Sequence, residues 1–185
     1  MNITTPKGVS VEVRRFCREL SSVEPCVLPV QPRDRAKPLE CFFNVADAAR
    51  DGEGSPVFGF LVWEFEGHWL EAERHAVLRR TTGAIEDITP HLDGEKSILF
   101  VEDPTWSFDV NNPAPTRRPE RWLLSDEPMV KQWAGALDRL DMFKFRNGRF
   151  VGRHVDWTPR DEKSTRHYQR IGREVQKFQT AVLGR

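Results

Sequence analysis

The sequence predicts an α+β domain: a helix bearing a cysteine at its start, packed on an antiparallel sheet of about four or more strands, with C-terminal helices. Three observations predict it. Residues 57–103 hold four strand-like segments joined by short polar links. Apolar residues recur every three or four positions on either side of that block. "LECFFNVADAARDGEG" combines helix-favouring alanines with a glycine stop, and Cys41 falls at its start.

Taken in order, Val9, Val13, Phe16, Cys17 and Leu20 mark one face of a first helix and place Cys17 on its buried side. The prolines from Pro25 to Pro38 favour an extended chain. Val57 to Phe65, "HWLEAERHAVLRR", "AIEDITP" and "KSILFVED" supply the strands. Residues 104–120 read as a loop. "SDEPMVKQWAGALDRLDMF" reads as a helix capped by Ser125, with Met129, Trp133, Ala136, Leu137 and Leu140 as its stripe. Asn147-Gly148, flanked by alternating residues, reads as a hairpin turn. The last helix starts from a Thr158 cap and turns Tyr168, Ile171, Val175, Phe178 and Val182 inward. The expected organisation is a core over residues 1–120 and a helical and hairpin extension over 121–185, packed on the core.

The chain has 185 residues, 38% hydrophobic and 30% charged, which fits a globular domain rather than a disordered one. No apolar run approaches the roughly 20 residues of a membrane span, and the first residues lack the apolar core of a secretion signal. A cytoplasmic protein without membrane contact is expected. Three cysteines with no CxxC argue against a disulfide framework and a zinc knuckle. Net charge is zero but polarised. Residues 40–103 hold 14 acids against 5 bases, and residues 144–185 hold 11 bases against 4 acids. The plainest consequence is attraction between the two regions within one fold.

Cys41 stands out because a thiol at a helix start feels the positive end of the helix dipole, which favours thiolate. A thiolate nucleophile needs a base, and the base needs an orienting group. His75 and Asp87 are the candidates. A three-residue loop at Thr81 to Gly83 pairs residue 77 with 87 and sets Asp87 one diagonal step from His75 on one face. A five-residue loop sets them directly opposite. Two- and four-residue loops separate them onto opposite faces.

The order Cys41, His75, Asp87, with the cysteine at a helix start before an antiparallel sheet, resembles the papain-like thiol hydrolase superfamily. Within it, residues 39–103 are similar to bacterial cell-wall cysteine peptidases and to N-terminal glutamine amidases. The second group shares an Asn-Val pair after the cysteine, matched here by "CFFNV". The resemblance implies Cys41 as nucleophile, His75 as base and Asp87 as orienter, with no cofactor. It also implies hydrolysis, deamidation or acyl transfer on a peptide, protein or small amide. Oxyanion donors would be the Cys41 N–H and the Gln31 side chain.

Asn44 is placed near the cleft by its position one turn after Cys41, although a helix-surface role is the plainer one. Glu71 and Glu73 share the His75 face and form an acidic rim suited to a cationic substrate. The same rim, with His75 and Asp87, is also a candidate metal site, without a supporting motif. Two non-enzymatic alternatives remain. One is a protein-interaction module using the C-terminal amphipathic helix. The other is nucleic-acid binding through Arg146, Arg149, Arg153, Arg166, Arg170 and Arg173, against which zero net charge weighs.

Overall fold

A computed structural model describes residues 3–116 and 118–184. It is α+β, with four helices and a mostly antiparallel sheet. The elements are α1 (Val11–Leu20), β1 (Cys26–Pro29), α2 (Cys41–Arg50), β2 (Gly54–Phe65), β3 (Trp69–Arg80), β4 (Ile85–Glu86), β5 (Ser97–Glu102), β6 (Glu120–Leu123), α3 (Pro128–Asn147), β7 (Arg149–Val151), β8 (His154–Asp156) and α4 (Glu162–Leu183).

The main sheet runs β1-β5-β2-β3-β4, with β6 added along β3. Its spine is the twelve-residue antiparallel pair β2–β3, in which Gly59 faces His75 and Val57 faces Val77. A parallel bridge from Val30 to Asp87 brings the end of the path back beside its beginning. Side chains alternate across a strand, so the curled sheet has two distinct faces. Leu28, Val57, Leu61, Trp63, Val77, Ile98 and Phe100 cluster on the inner face. On the outer face, Phe60, Val62, Leu70, Ala72, Leu99 and Val101 take Val13, Phe16 and Cys17 of α1. Further along that face, Ala76, Leu78 and Ile88 take Val45 and Ala48 of α2. Phe65 and Trp69 meet Val130 and Trp133 of α3, with Val175, Phe178 and Val182 of α4 packed around them. Each large side chain buried in this way contributes about 1.5–3 kcal/mol.

Two local features position the site. Arg80 N–H donates to Ala84 C=O at 2.7 Å, Gly83 N–H donates to Arg80 C=O at 2.8 Å, and Gly83 holds φ 91. The connection is thus the three-residue Thr81–Gly83 loop. With Leu78 opposite Glu86, Asp87 shares the face of Val77 and His75. Gly59 stands opposite His75, where an added Cβ would lie 2.0 Å from the Val101 carbonyl oxygen and 2.8 Å from Phe100 Cζ. Only glycine lets β5 approach β2 so closely there.

Three boundaries differ from the sequence expectation. α3 continues through Asn147, so the hairpin turn is not at Asn147-Gly148 but at Gly152, which holds φ 63 between β7 and β8. Phe143, buried in α3 and in ring contact with Tyr168 of α4, favours helix at that point over the local turn signal. Ser125 does not cap α3: its Oγ accepts from Glu127 N–H, and Glu127 occupies the cap position without a side-chain capping bond. α4 starts after Asp161, whose carboxylate accepts from Ser164 N–H at 2.7 Å, rather than from a Thr158 cap. Among the described residues no helix is long and apolar enough to cross a membrane.

Candidate functional site

Cys41 is the first residue of α2. No side chain caps that helix, so its first-turn N–H groups keep their capacity to donate. Phe42 stacks on Phe108 with ring centroids 4.3 Å apart, and Phe43 meets Phe108 and Phe150 edge-on. These rings fix the helix start. Leu39, in the left-handed region at φ 65, turns the chain into it and is itself exposed. Cys41 is 8% exposed. It does not face out into open solvent; it lies at the wall of a cleft of about 450 Å³.

His75 comes from the middle of β3 and lines the same cleft. Its Nε2 is 2.8 Å from Asp87 Oδ2. The same carboxylate oxygen is 2.7 Å from His91 Nε2, and Asp87 Oδ1 accepts from Thr89 N–H at 2.8 Å. Burial disfavours the Asp87 charge, but the His75 charge and these three hydrogen bonds outweigh it and hold the carboxyl well below the usual range. An ionised carboxylate only accepts, so each imidazole donates from Nε2. His75 thereby keeps Nδ1 clear of that carboxylate, in a cleft whose wall also holds Cys41. Burial also disfavours the imidazolium of His75. The Asp87 charge and its hydrogen bond, with Cys41 nearby, reverse that and raise His75 well above the ordinary histidine range. Among the described residues, neither of the other two thiols lies beside a histidine in that cleft. Burial, with Glu24 nearby, pushes Cys17 up to about 11, and burial with Glu102 nearby also raises Cys26.

The structure therefore joins His75 to Asp87 and sets Cys41 in the same cleft wall as His75. Of the residues expected at the rim, Glu73 lines the cleft, with Oε1 accepting from Trp63 Nε1–H at 2.8 Å. Glu71 does not line it. It faces Arg121 across β3–β6 and bonds that guanidinium at 2.6 Å, in a network that includes Asp138 and Asp141 of α3. Burial raises its pKa against the pull of Arg121. Asn44 is neither a cleft residue nor a surface one. It is buried, accepts from Lys37 N–H, and donates to Lys37 C=O and Thr89 Oγ1. Those bonds tie the proline-rich segment and the Asp87 loop to α2. The Gln31 side chain is exposed, and its backbone N–H donates to Asp87 C=O at 2.7 Å, so it serves Asp87 rather than an oxyanion.

Two residues at the site have no counterpart in the sequence reading. His91 shares the Asp87 carboxylate; its sequence signal is a second histidine four residues past the aspartate. Glu40, beside Cys41, is wholly buried. For a metal, the geometry selects His75, Asp87 and His91, whose ligand atoms lie within 4.8 Å of one another, in place of the expected set with Glu71 and Glu73.

A larger hollow of about 690 Å³ lies between α1 and β6, lined by Arg15, Arg74 and Trp122 among others, with neither a cysteine nor a histidine in its wall. The C-terminal arginines are largely occupied: Arg149 by Asp156, Arg153 by Asp47, Arg166 by Glu162 and Arg170 by Glu174.

No protein-family model, no curated protein and no solved structure matches the chain.

Proposed function

We propose that the protein is a cysteine-dependent amide hydrolase, deamidase or acyl transferase of papain-like kind. One observation supports this: a histidine hydrogen-bonded to a buried aspartate shares a cleft with a cysteine at the first position of a helix. The Cys41 thiolate attacks the amide carbon while His75 holds the proton as imidazolium. The oxyanion is met by the backbone N–H of Cys41 and by the positive end of α2. His75 then protonates the departing nitrogen, which leaves as ammonia or an amine, and a thioester to Cys41 remains. Water, deprotonated by His75, attacks the thioester and releases the carboxylic acid; a second amine in its place gives transfer. Asp87 keeps the proton of His75 on Nε2 throughout, and His91 and Thr89 hold Asp87 in place.

The test is the thioester. With p-nitrophenyl acetate, the protein is expected to release a stoichiometric burst of p-nitrophenol and to carry one acetyl group on the peptide containing Cys41. Cys41→Ala should lose both. A burst that survives in Cys41→Ala contradicts the reading. A second reading rests on the His75–Asp87–His91 cluster. A divalent cation held there would activate water, and the acetylated Cys41 peptide would not form.

A further inference from the structure

Glu40 has no role in the reaction above. Its side chain is fully buried at the cleft wall next to Cys41, and neither carboxylate oxygen accepts a hydrogen bond. A buried charge without hydrogen bonds is strongly unfavourable and persists where the surroundings supply a counter-charge. The nearest basic groups are His154 Nε2, 3.2 Å from Oε1, and Arg153 Nη1, 3.8 Å from Oε2. Arg153 is already committed to Asp47, with bonds of 2.6 and 3.1 Å. That leaves His154, whose side chain is 70% exposed.

His154 sits on the β7–β8 hairpin, which forms its own two-stranded sheet. Such a hairpin is marginal without support. Its supports here include the Arg153–Asp47 pair, the ring contacts of Phe150 with Phe43 and Phe108, and Arg153 over the Phe43 ring. Elsewhere in the cleft wall, Arg74 is bound to Asp103, whereas Glu73 keeps one carboxylate oxygen beyond its bond to Trp63, and Asp93 adds a further negative charge. The uncommitted charge around Cys41 is negative.

We propose that Glu40 anchors a subsite for a primary ammonium group on the substrate, and that His154 is a place-holder which lifts with the β7–β8 hairpin when that group enters. A compact ammonium with three donors can hydrogen-bond both orphaned oxygens, which a single imidazole N–H cannot. The inference deepens the amide-hydrolase reading and rests on it. It specifies amides that carry a positively charged amino group near the scissile bond.

The experiment uses the whole chain and three methanethiosulfonates, bearing ethylammonium, ethylsulfonate or a neutral methyl group. Rates at Cys41 are read by peptide mass spectrometry and divided by those of free cysteine at the same pH. In the wild type, the normalised ammonium rate should exceed the sulfonate rate by about tenfold, equivalent to one favourable charge contact. His154→Ala should raise that ratio several-fold, and Glu40→Gln should bring it close to one. A ratio near one in the wild type, or an unchanged ratio in His154→Ala, overturns the proposal. Should Glu40→Gln fail to fold, the exposed His154 variant still decides. The neutral reagent separates this test from the parent reading. A neutral rate at Cys41 as slow as at Cys17 would remove the activated thiol, while the charge ratio would still judge the subsite.

Discussion

In His75→Gln, acetylation of Cys41 by p-nitrophenyl acetate is expected to fall by about a hundredfold to ten-thousandfold, the range over which a positioned acid–base group contributes. The substitution isolates chemistry from packing. Glutamine has a comparable length and can still donate to Asp87, but it cannot take up the thiol proton. His75 is held well above the ordinary histidine range because Asp87 and Cys41 stabilise its charge against burial. Removing it therefore removes the base that the proposed mechanism assigns to Cys41. The unfolding midpoint should move far less than the rate. Measured acylation within threefold of wild type, in a folded variant, would remove His75 from the mechanism.

Replacing Asp87 by alanine should have the largest effect on stability, about 3–5 kcal/mol, because it breaks a buried charged pair from one side. It also strips His75 Nε2, His91 Nε2 and Thr89 N–H of their common acceptor. For a chain of this size that corresponds to a fall of about 6–20 °C in melting temperature. The pH dependence should change with it. The Asp87 pKa is lowered in the fold, so its contribution is present above the unfolded carboxylate value of about 4 and is lost as pH falls through the folded one. The His75 pKa is raised, so its contribution is present below the unfolded value of about 6.5 and is lost as pH climbs through the folded one. Asp87→Asn should flatten both limbs of the stability–pH curve. Chemical denaturation from about pH 3 to 9 measures this; a wild-type curve with the same limbs as Asp87→Asn would show that the pair carries no linked stability.

The extent to which the sequence foretold this arrangement depends on how local each feature is. Cys41 at a helix start is local: alanines follow it, glycines stop the helix, and α2 begins at that residue. The His75–Asp87 relation is one step less local, since it depends on loop parity alone. The three-residue Thr81–Gly83 loop was one of two lengths that place both side chains on one face, and it is the one observed. Glu71 shows where parity fails as a guide. It has the same parity as Glu73, but β6, a strand with no clear pattern in the sequence, sets Arg121 opposite it and draws it into a structural network. His91 lies in an aperiodic loop, so only the fold of that loop reveals that it reaches Asp87. Glu40 is the least local of all. Its nearest basic neighbours, Arg153 and His154, come from a hairpin more than 110 residues further along the chain. The Asn147-Gly148 turn signal failed for the same kind of reason, being outweighed by α3–α4 packing around Phe143.

The central claim is that Cys41 is an activated thiol paired with His75, and site-resolved alkylation tests it most directly. The native protein is treated with limiting iodoacetamide from about pH 5.5 to 8.5, a range that ends at the free-cysteine pKa, and each cysteine is read by peptide mass spectrometry. The account predicts rapid labelling of Cys41 at pH 6, with buried Cys17 and exposed Cys26, both raised in pKa, labelling more slowly. Labelling of Cys41 that is as slow as that of Cys17 across the range would contradict it, and would leave His75, Asp87 and His91 as a structural or metal-binding cluster.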